Sequence, residues 1–419
     1  MLRSWVPGAD GSGFPAEHLP FGVFSAGGGP PRVGARIGDA VIDLARLAAD
    51  GVGSLDALAG DSFARPSLNT FMARGADCWH AVRSRLTELV CDESHRAAAA
   101  PALVPLAAAS LRLPVEVADY VDFYSSLEHA TNLGRLFRPG GDPLLPNWRH
   151  LPVAYHGRAG TVVVSGTPVT RPEGQRRVDG TVTFGPTERL DVELEVGAVV
   201  GTPSAMGRPV PVGEAADHVF GLALVNDWSA RDIQAWEYQP LGPFLGKSFA
   251  TTLAAWVTPL AALDACRVPG PVQDPEPLPY LRLDADWSLA LDLSIALRPA
   301  GGAGEEVVSR TSFAGLYWRV PQQIAHLTAN GAHLRTGDLL ASGTVSGSSP
   351  GSEGSLVELT RGGAEPLAVA GTTRTFLLDG DEVVLRATAA VADGVTISLG
   401  EAAGRVVAGP SGVPGAGDA

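Results

Sequence analysis

The sequence predicts a mainly β protein of the α+β class, built as a small N-terminal domain, a large C-terminal domain and a short tail. Three observations carry this expectation. The chain has 419 residues, too many for one ordinary small domain. Its 51 glycines and 33 prolines favour many short strands and turns over a helix bundle. Its apolar runs mostly alternate, with helical periodicity concentrated in one early stretch.

In chain order, residues 21–24 form a short apolar run and residues 32–44 alternate across Gly38-Asp39, a hairpin signal. Residues 54–110 carry helical periodicity, and the alanine-rich stretch 97–109 reads as a linker. The boundary is expected near 110–118, which gives an N-terminal domain 1–115 and a C-terminal domain 116–408. Beyond it, residues 161–166 are β-branched at their first four positions and end in a Gly-Thr-Pro turn. Leu289, Leu291, Leu293, Ile295 and Leu297 alternate as a half-buried strand does. A helix is expected over 322–328, stopped by Asn330-Gly331. Residues 376–378 and 383–385 flank Asp379-Gly380-Asp381 and read as a second hairpin. The Gly/Pro-rich tail 409–419 is expected to fray. No internal repeat is present, and the large domain reads as a mixed β-roll or barrel with few helices.

Composition narrows the function. A net charge of −14 speaks against a nucleic-acid partner, which needs a basic face, yet is compatible with a cation site. The three cysteines, Cys78, Cys91 and Cys266, include no C-x-x-C pair; this fits reduced thiols and not zinc–thiolate chemistry. No apolar signal core opens the chain, and the mildly apolar run 252–265 is interrupted by Pro259, so no membrane span is expected. The expectation is a soluble cytoplasmic protein.

Chemistry concentrates in N-D-W-S-A-R-D-I-Q-A-W-E-Y-Q-P-L-G-P-F-L-G-K-S-F-A-T-T, residues 226–252. Asp227, Arg231, Gln234, Tyr238, Lys247 and Thr251 supply an acid, two cations, an amide, a phenol and a hydroxyl in one short segment. In L-D-V-E-L-E-V, residues 190–196, a strand would put Asp191, Glu193 and Glu195 on one face. Such like charges repel unless they are solvated or bridged by a hard cation such as Ca²⁺ or Mg²⁺; Glu193 and Glu195, with Asp122 and Asp227, could complete a cage. The bland alternatives are a solvated sheet face for the former and a helix N-cap for Asp227. Asp122 and His129 lie seven apart, about two turns if their segment is helical. His156 is a rival histidine. Arg231 and Gln234, three apart, would face together on a helix and suit an oxyanion, or simply hydrogen-bond on a helix surface. Lys247 sits among apolar residues and glycine, as a snorkelling surface cation or a buried one. Glu358 reads as part of the alternating strand S-L-V-E-L, and Thr344 lies in a Gly/Ser loop.

On these residues the chain resembles the fumarylacetoacetase family, carbon–carbon hydrolases that complete tyrosine and phenylalanine breakdown. The motifs are D-Y-V-D-F-Y-S-S-L-E-H-A-T-N (119–132), L-P-N-W-R-H-L-P-V-A-Y-H-G-R (145–158), L-D-V-E-L-E (190–195), residues 226–249 above, L-L-A-S-G-T-V-S-G (339–347) and F-L-L-D-G-D-E-V (376–383). L-P-F-G-V-F-S (19–25) extends the likeness into the small domain. The resemblance implies an N-terminal SH3-like β-barrel, a C-terminal β-roll and a homodimer. It places a calcium cage on Asp122, Glu193, Glu195 and Asp227, and a second cation, usually Mg²⁺, near Asp227, Lys247 and Thr251. It implies a catalytic base at His129, oriented by Glu358, and oxyanion donors at Arg231, Gln234 and Lys247. Substrate contacts fall on Tyr124, Arg138, Gln234, Tyr238 and Thr344. Two departures stand out: Ala250 where the family carries glycine, and the loop P-G-G-D-P (139–143). Other enzymes on the same cage, such as acylpyruvate hydrolases, and a non-catalytic calcium-stabilised β protein are the competing readings.

Overall fold

The early hairpin forms where the alternation breaks at glycine. Strands Phe21–Ala26, Arg32–Ile37 and Ala40–Asp43 pair antiparallel, with Ile37 opposite Ala40 and Gly38 in the left-handed region at φ 51°. The coordinates are a computed structural model that describes residues 2–284, 287–392 and 394–409. The expected tail therefore lies, apart from Gly409, outside the described residues.

The stretch 97–109 is not a linker. Leu103–Pro105 pairs with Ala40–Asp43, and Ala109–Arg112 pairs with Phe21–Ala26. Alanine gives little strand signal of its own, and these pieces are fixed by backbone bonds offered by neighbouring strands. Helices do fill the preceding stretch, the longest being Ala76–Cys91.

Phe21–Ala26 also pairs with Trp256–Pro259, so the N-terminal strands run into a single thirteen-stranded sheet with the rest of the chain. Its strand order is an open path, with no closed barrel among the described residues. Phe21, Phe71, Trp79 and Phe220 stack across this junction, with the Trp79 and Phe220 ring centroids 5.1 Å apart and edge-on at 88°. A second sheet of five strands includes Asp292–Arg298, Glu382–Ala392 and Val395–Val407.

Leu293, Ile295 and Leu297 are buried on Asp292–Arg298, but Leu289 belongs to a separate short strand, Ser288–Leu289. The helix Val320–Thr328 ends as expected, with the Gly331 N–H on the Thr328 carbonyl at 2.8 Å. The predicted hairpin around Asp379-Gly380-Asp381 does not form. Glu382–Ala392 instead pairs with Asp292–Arg298 and Val395–Val407, while Leu377 bridges Leu190. The buried Arg374 guanidinium grips both Asp381 carboxylate oxygens at 2.8 Å, so the turn serves an ion pair and not a strand reversal.

The centre of the large sheet positions the site. Leu194–Val200 and Val219–Asp227 pair antiparallel and are wholly buried, which their near-continuous apolar run requires. Leu339–Ala341 and Tyr120–Phe123 continue the sheet in parallel, with Ala341 opposite Asp122. Thr251 pairs with Asp227. The C-terminal ends of two strands and the beginnings of two others thus meet at one edge of the core. No helix among the described residues is long and apolar enough to cross a membrane.

Candidate active site

The register brings three acids together. Carboxylate oxygens of Asp122, Glu193 and Glu195 lie within 4.8 Å of one another, and all three residues are buried. Asp122 Oδ1 and Glu195 Oε1 have no hydrogen-bond partner among the described residues. Burial, with Asp227 close by, drives the Asp122 pKa well above the carboxylate range; burial, Asp122 and Asp227 do the same to Glu195. Buried, orphaned carboxylates of this kind fit a hard divalent cation, which takes oxygen donors only. The solvated-face alternative is excluded by burial.

Asp227 stands beside this cluster without joining it. Its Oδ2 accepts from Tyr155 Oη at 2.6 Å and from Lys247 Nζ at 2.9 Å, and its Oδ1 accepts from Thr251 Oγ1 at 2.9 Å. It is therefore no helix N-cap. Lys247 also donates to Glu193, so one buried ammonium bridges two acids. Burial disfavours that ammonium, but Asp227 and Glu193 outweigh it and raise its pKa. Burial likewise opposes the Glu193 charge, yet Lys247, Arg231 and His129 hold its pKa down at about 2.

Asp191 leaves the face that strand alternation assigned to it, because the strand Leu190–Asp191 breaks before Leu194–Val200 begins. Its carboxylate instead accepts from Arg231 Nε at 2.8 Å and from the Leu356 and Val357 N–H groups at 2.7 and 3.1 Å. Those last two bonds explain a second correction. Residues 355–359 alternate like a strand, yet Leu356–Leu359 is a single helical turn whose first N–H groups end on Asp191.

That turn carries Glu358. His129 Nδ1 meets Glu358 Oε2 at 2.6 Å, with both side chains buried. Asn132 Nδ2, Ser346 Oγ and Ser355 Oγ also donate to Glu358, at 2.9, 3.0 and 2.6 Å. Burial opposes the Glu358 charge, but His129 and these donors hold its pKa low. Glu358 thus engages Nδ1 and turns Nε2 towards the cavity, 3.9 Å from Glu193 Oε1. Asp122 and His129 are not on one helix. Asp122 lies in the strand Tyr120–Phe123, and Ser126 then caps the helix Leu127–Phe137 by accepting from the His129 N–H.

Arg231 is buried, 2.8 Å from Glu193 Oε1 through one terminal nitrogen and donating to Gln234 Oε1 at 3.1 Å through the other. These groups open onto a cavity of about 390 Å³ lined also by Tyr124, His129, Arg138, Tyr238, Lys247 and Thr344. Thr344 Oγ1 and Arg138 Nε are buried without a hydrogen-bond partner among the described residues. Thr251 lies behind Asp227, off the cavity wall. His156 is exposed and does not line the cavity. The 139–143 loop is docked: Arg138 donates to the Pro143 carbonyl at 2.6 Å, and a Cβ on Gly134 would come within 1.8 Å of that oxygen. Ala250 is not among the residues at positive φ, so the alanine introduces no backbone strain.

The sequence reading passed over Tyr155, Asn132, Ser346 and Ser355. Asn132 was within reach, because His129 and Asn132 are three apart on a helix and share a face. Tyr155 is opposite Asp122 across paired strands, a register that the sequence does not display.

Family models cover almost all of the chain. Residues 17–114 match Fumarylacetoacetase N-terminal, and residues 120–407 match Fumarylacetoacetate (FAA) hydrolase C-terminal. The chain belongs to the fumarylacetoacetase family. It is 46% identical to fumarylacetoacetase of Rattus norvegicus over 413 residues, covering 96% of this chain and 98% of that one. It is 45% identical to the Homo sapiens fumarylacetoacetase at the same coverage, and 42% identical to that of Arabidopsis thaliana, covering 98% and 99%. Among solved structures, a fumarylacetoacetate hydrolase from Exiguobacterium antarcticum aligns at TM-score 0.54 and 17% identity over 93% of this chain and 99% of that one. An HpcE-type protein of Mycobacterium smegmatis aligns at 0.52 and 20%, over 93% and 99%. At such identities these two bear on the fold alone, a sheet-dominated α+β architecture.

Proposed function

We propose that this protein hydrolyses the carbon–carbon bond of 4-fumarylacetoacetate to give fumarate and acetoacetate, the closing step of tyrosine and phenylalanine breakdown. The observation that carries the proposal is His129, bonded behind by Glu358, lining the same cavity as Asp122 and Glu193 of the carboxylate cluster and the donors Arg231, Gln234 and Lys247.

His129 Nε2 takes a proton from water, and Glu358 steadies the imidazolium that results. The hydroxide adds to the ketone carbon at the fumaroyl end. Arg231, Gln234 and Lys247 face the alkoxide that forms. The alkoxide collapses, the bond to the acetoacetate carbon breaks, and that carbon leaves as an enolate that takes up a proton. Arg138 and Thr344, with buried donors unspent, and Tyr124 and Tyr238 hold the substrate's carboxylates and chain. Asp122, Glu193 and Glu195, with Asp227 adjacent, would hold a divalent cation, which would supply Lewis-acid stabilisation of developing negative charge. We propose Ca²⁺ there and Mg²⁺ near Asp227, Lys247 and Thr251.

The division 1–115 and 116–408 is supported by the two family models, which meet between residues 114 and 120. For the first unit we propose the family's SH3-like arrangement, on its five short strands; for the molecule, a cytoplasmic homodimer.

The test is loss of the diketone absorbance of fumarylacetoacetate by metal-replete protein, with acylpyruvates as comparison substrates. Turnover of fumarylacetoacetate that a chelator abolishes is the expected result. Turnover of acylpyruvates alone would move the protein to another reaction on the same cage.

A further inference from the structure

The mechanism leaves one buried carboxylate at the site without a task. Asp191 is fully enclosed, and each of its oxygens accepts twice. Oδ1 takes the Val192 N–H at 2.8 Å and the Leu356 N–H at 2.7 Å; Oδ2 takes Arg231 Nε at 2.8 Å and the Val357 N–H at 3.1 Å. Its acceptor capacity is filled, so it has nothing to offer a cation or a substrate. What it does is hydrogen-bond to two parts of the site at once. One is the Arg231 guanidinium, whose remaining nitrogens face Glu193 and Gln234. The other is the single turn Leu356–Leu359, which presents Glu358 to His129. Residues 191, 231 and 356 come from separate segments that backbone pairs bring together, Asp191 opposite Ser229 and Glu193 opposite Ser355; the Asp191 carboxylate then bonds the guanidinium and the turn directly.

We infer that Asp191 is a positioning residue that ties the oxyanion-facing guanidinium of Arg231 to the turn bearing Glu358, fixing both catalytic arms through one side chain. The inference rests on the roles proposed above for Arg231 and Glu358. An aspartate suits this task and an asparagine does not. Donors converge on both oxygens, so an amide nitrogen in either position would point N–H at N–H.

The test is a pair of double-mutant cycles on kcat, combining Asp191→Asn with Arg231→Gln and with Glu358→Gln. Asp191→Asn alone is expected to lower kcat by about 10²-fold, with KM changed by less than about threefold. In either background its further cost is expected to fall below about threefold, because the residue it acts through has gone. Mn²⁺ affinity of Asp191→Asn, read by electron paramagnetic resonance, is expected to stay at the wild-type value. Losses that multiply in both cycles, or a kcat that follows only the folded fraction seen in thermal melts, would overturn the inference. If Asp191→Asn does not fold, Asp191→Glu carries the same cycles, since it retains the charge but displaces both contacts by a methylene. Full kcat in the single Arg231→Gln and Glu358→Gln variants would instead remove the proposed roles themselves, and the inference with them.

Discussion

A single buried glutamate decides what His129 can do. Glu358 accepts from a histidine, an asparagine and two serines, so its replacement by glutamine puts an amide N–H where two or three donors already point. Glu358→Gln is expected to lower kcat by about 10²- to 10⁴-fold at nearly constant KM, measured by diketone absorbance. Tyr155→Phe tests a different contact. It removes one charge-assisted bond to Asp227 while the ring stays, and is expected to weaken cation binding by about tenfold, on the scale of 1.5–3 kcal/mol for such bonds. Calorimetric titration with Ca²⁺ reads it, and unchanged affinity would show that Lys247 and Thr251 suffice to hold Asp227. At this scale the sequence was informative about residue type and silent about direction. L-D-V-E-L-E-V announced three acids, and two joined the cluster. The third turned away because donors from residues 231, 356 and 357 awaited it, and no local pattern encodes those.

Elements were legible where periodicity and a stop signal agreed, as in Val320–Thr328 and the hairpin at Gly38. They were misread where a partner from elsewhere chose the conformation: the alanine-rich 103–112 became strand by pairing, and S-L-V-E-L became a turn by ending on Asp191. One element contact makes a pH prediction. His18 is wholly buried, with Nε2 2.9 Å from Thr258 Oγ1, and so links the N-terminal segment to the strand Trp256–Pro259. Burial lowers its pKa from 6.5 to about 3. The folded protein therefore holds it neutral, while the unfolded chain takes up a proton below 6.5. Its contribution to stability is complete above that pH and is lost progressively as pH falls towards 3. His18→Gln keeps a polar contact without that titration. Its melting temperature is expected to fall less than that of the wild type between pH 7 and pH 5; parallel losses would show that acid acts elsewhere.

For the molecule as a whole, the acidic cluster couples folding to cations. Even beside Lys247, Asp122 and Glu195 favour their protonated forms when no cation is bound, so cation-free protein becomes less stable as pH rises through their raised pKa values. A cation at a hundredfold excess over its Kd restores roughly 3 kcal/mol. Chelation is therefore expected to lower the melting temperature and abolish turnover, with a larger thermal effect at pH 8 than at pH 5. An equal shift at both would place the stabilising ion away from these carboxylates. The sequence conveyed the α+β class and the abundance of strands, but not that the N-terminal strands continue into one sheet with the catalytic ones. That continuity depends on two pairs, Phe21 with Val257 and Gly22 with Trp256, between segments far apart in the chain.

The His129–Glu358 bond spans 229 residues. A ribosome adding 5–20 residues per second needs roughly 10–50 s to deliver the glutamate after the histidine has emerged. Through that interval a nascent chain displays a histidine with no orienting acid, beside carboxylates whose sheet is unfinished. On the proposed mechanism, hydrolysis starts only after Glu358 has emerged, and a product terminated before it lacks the orienting acid however much of its sheet it has built.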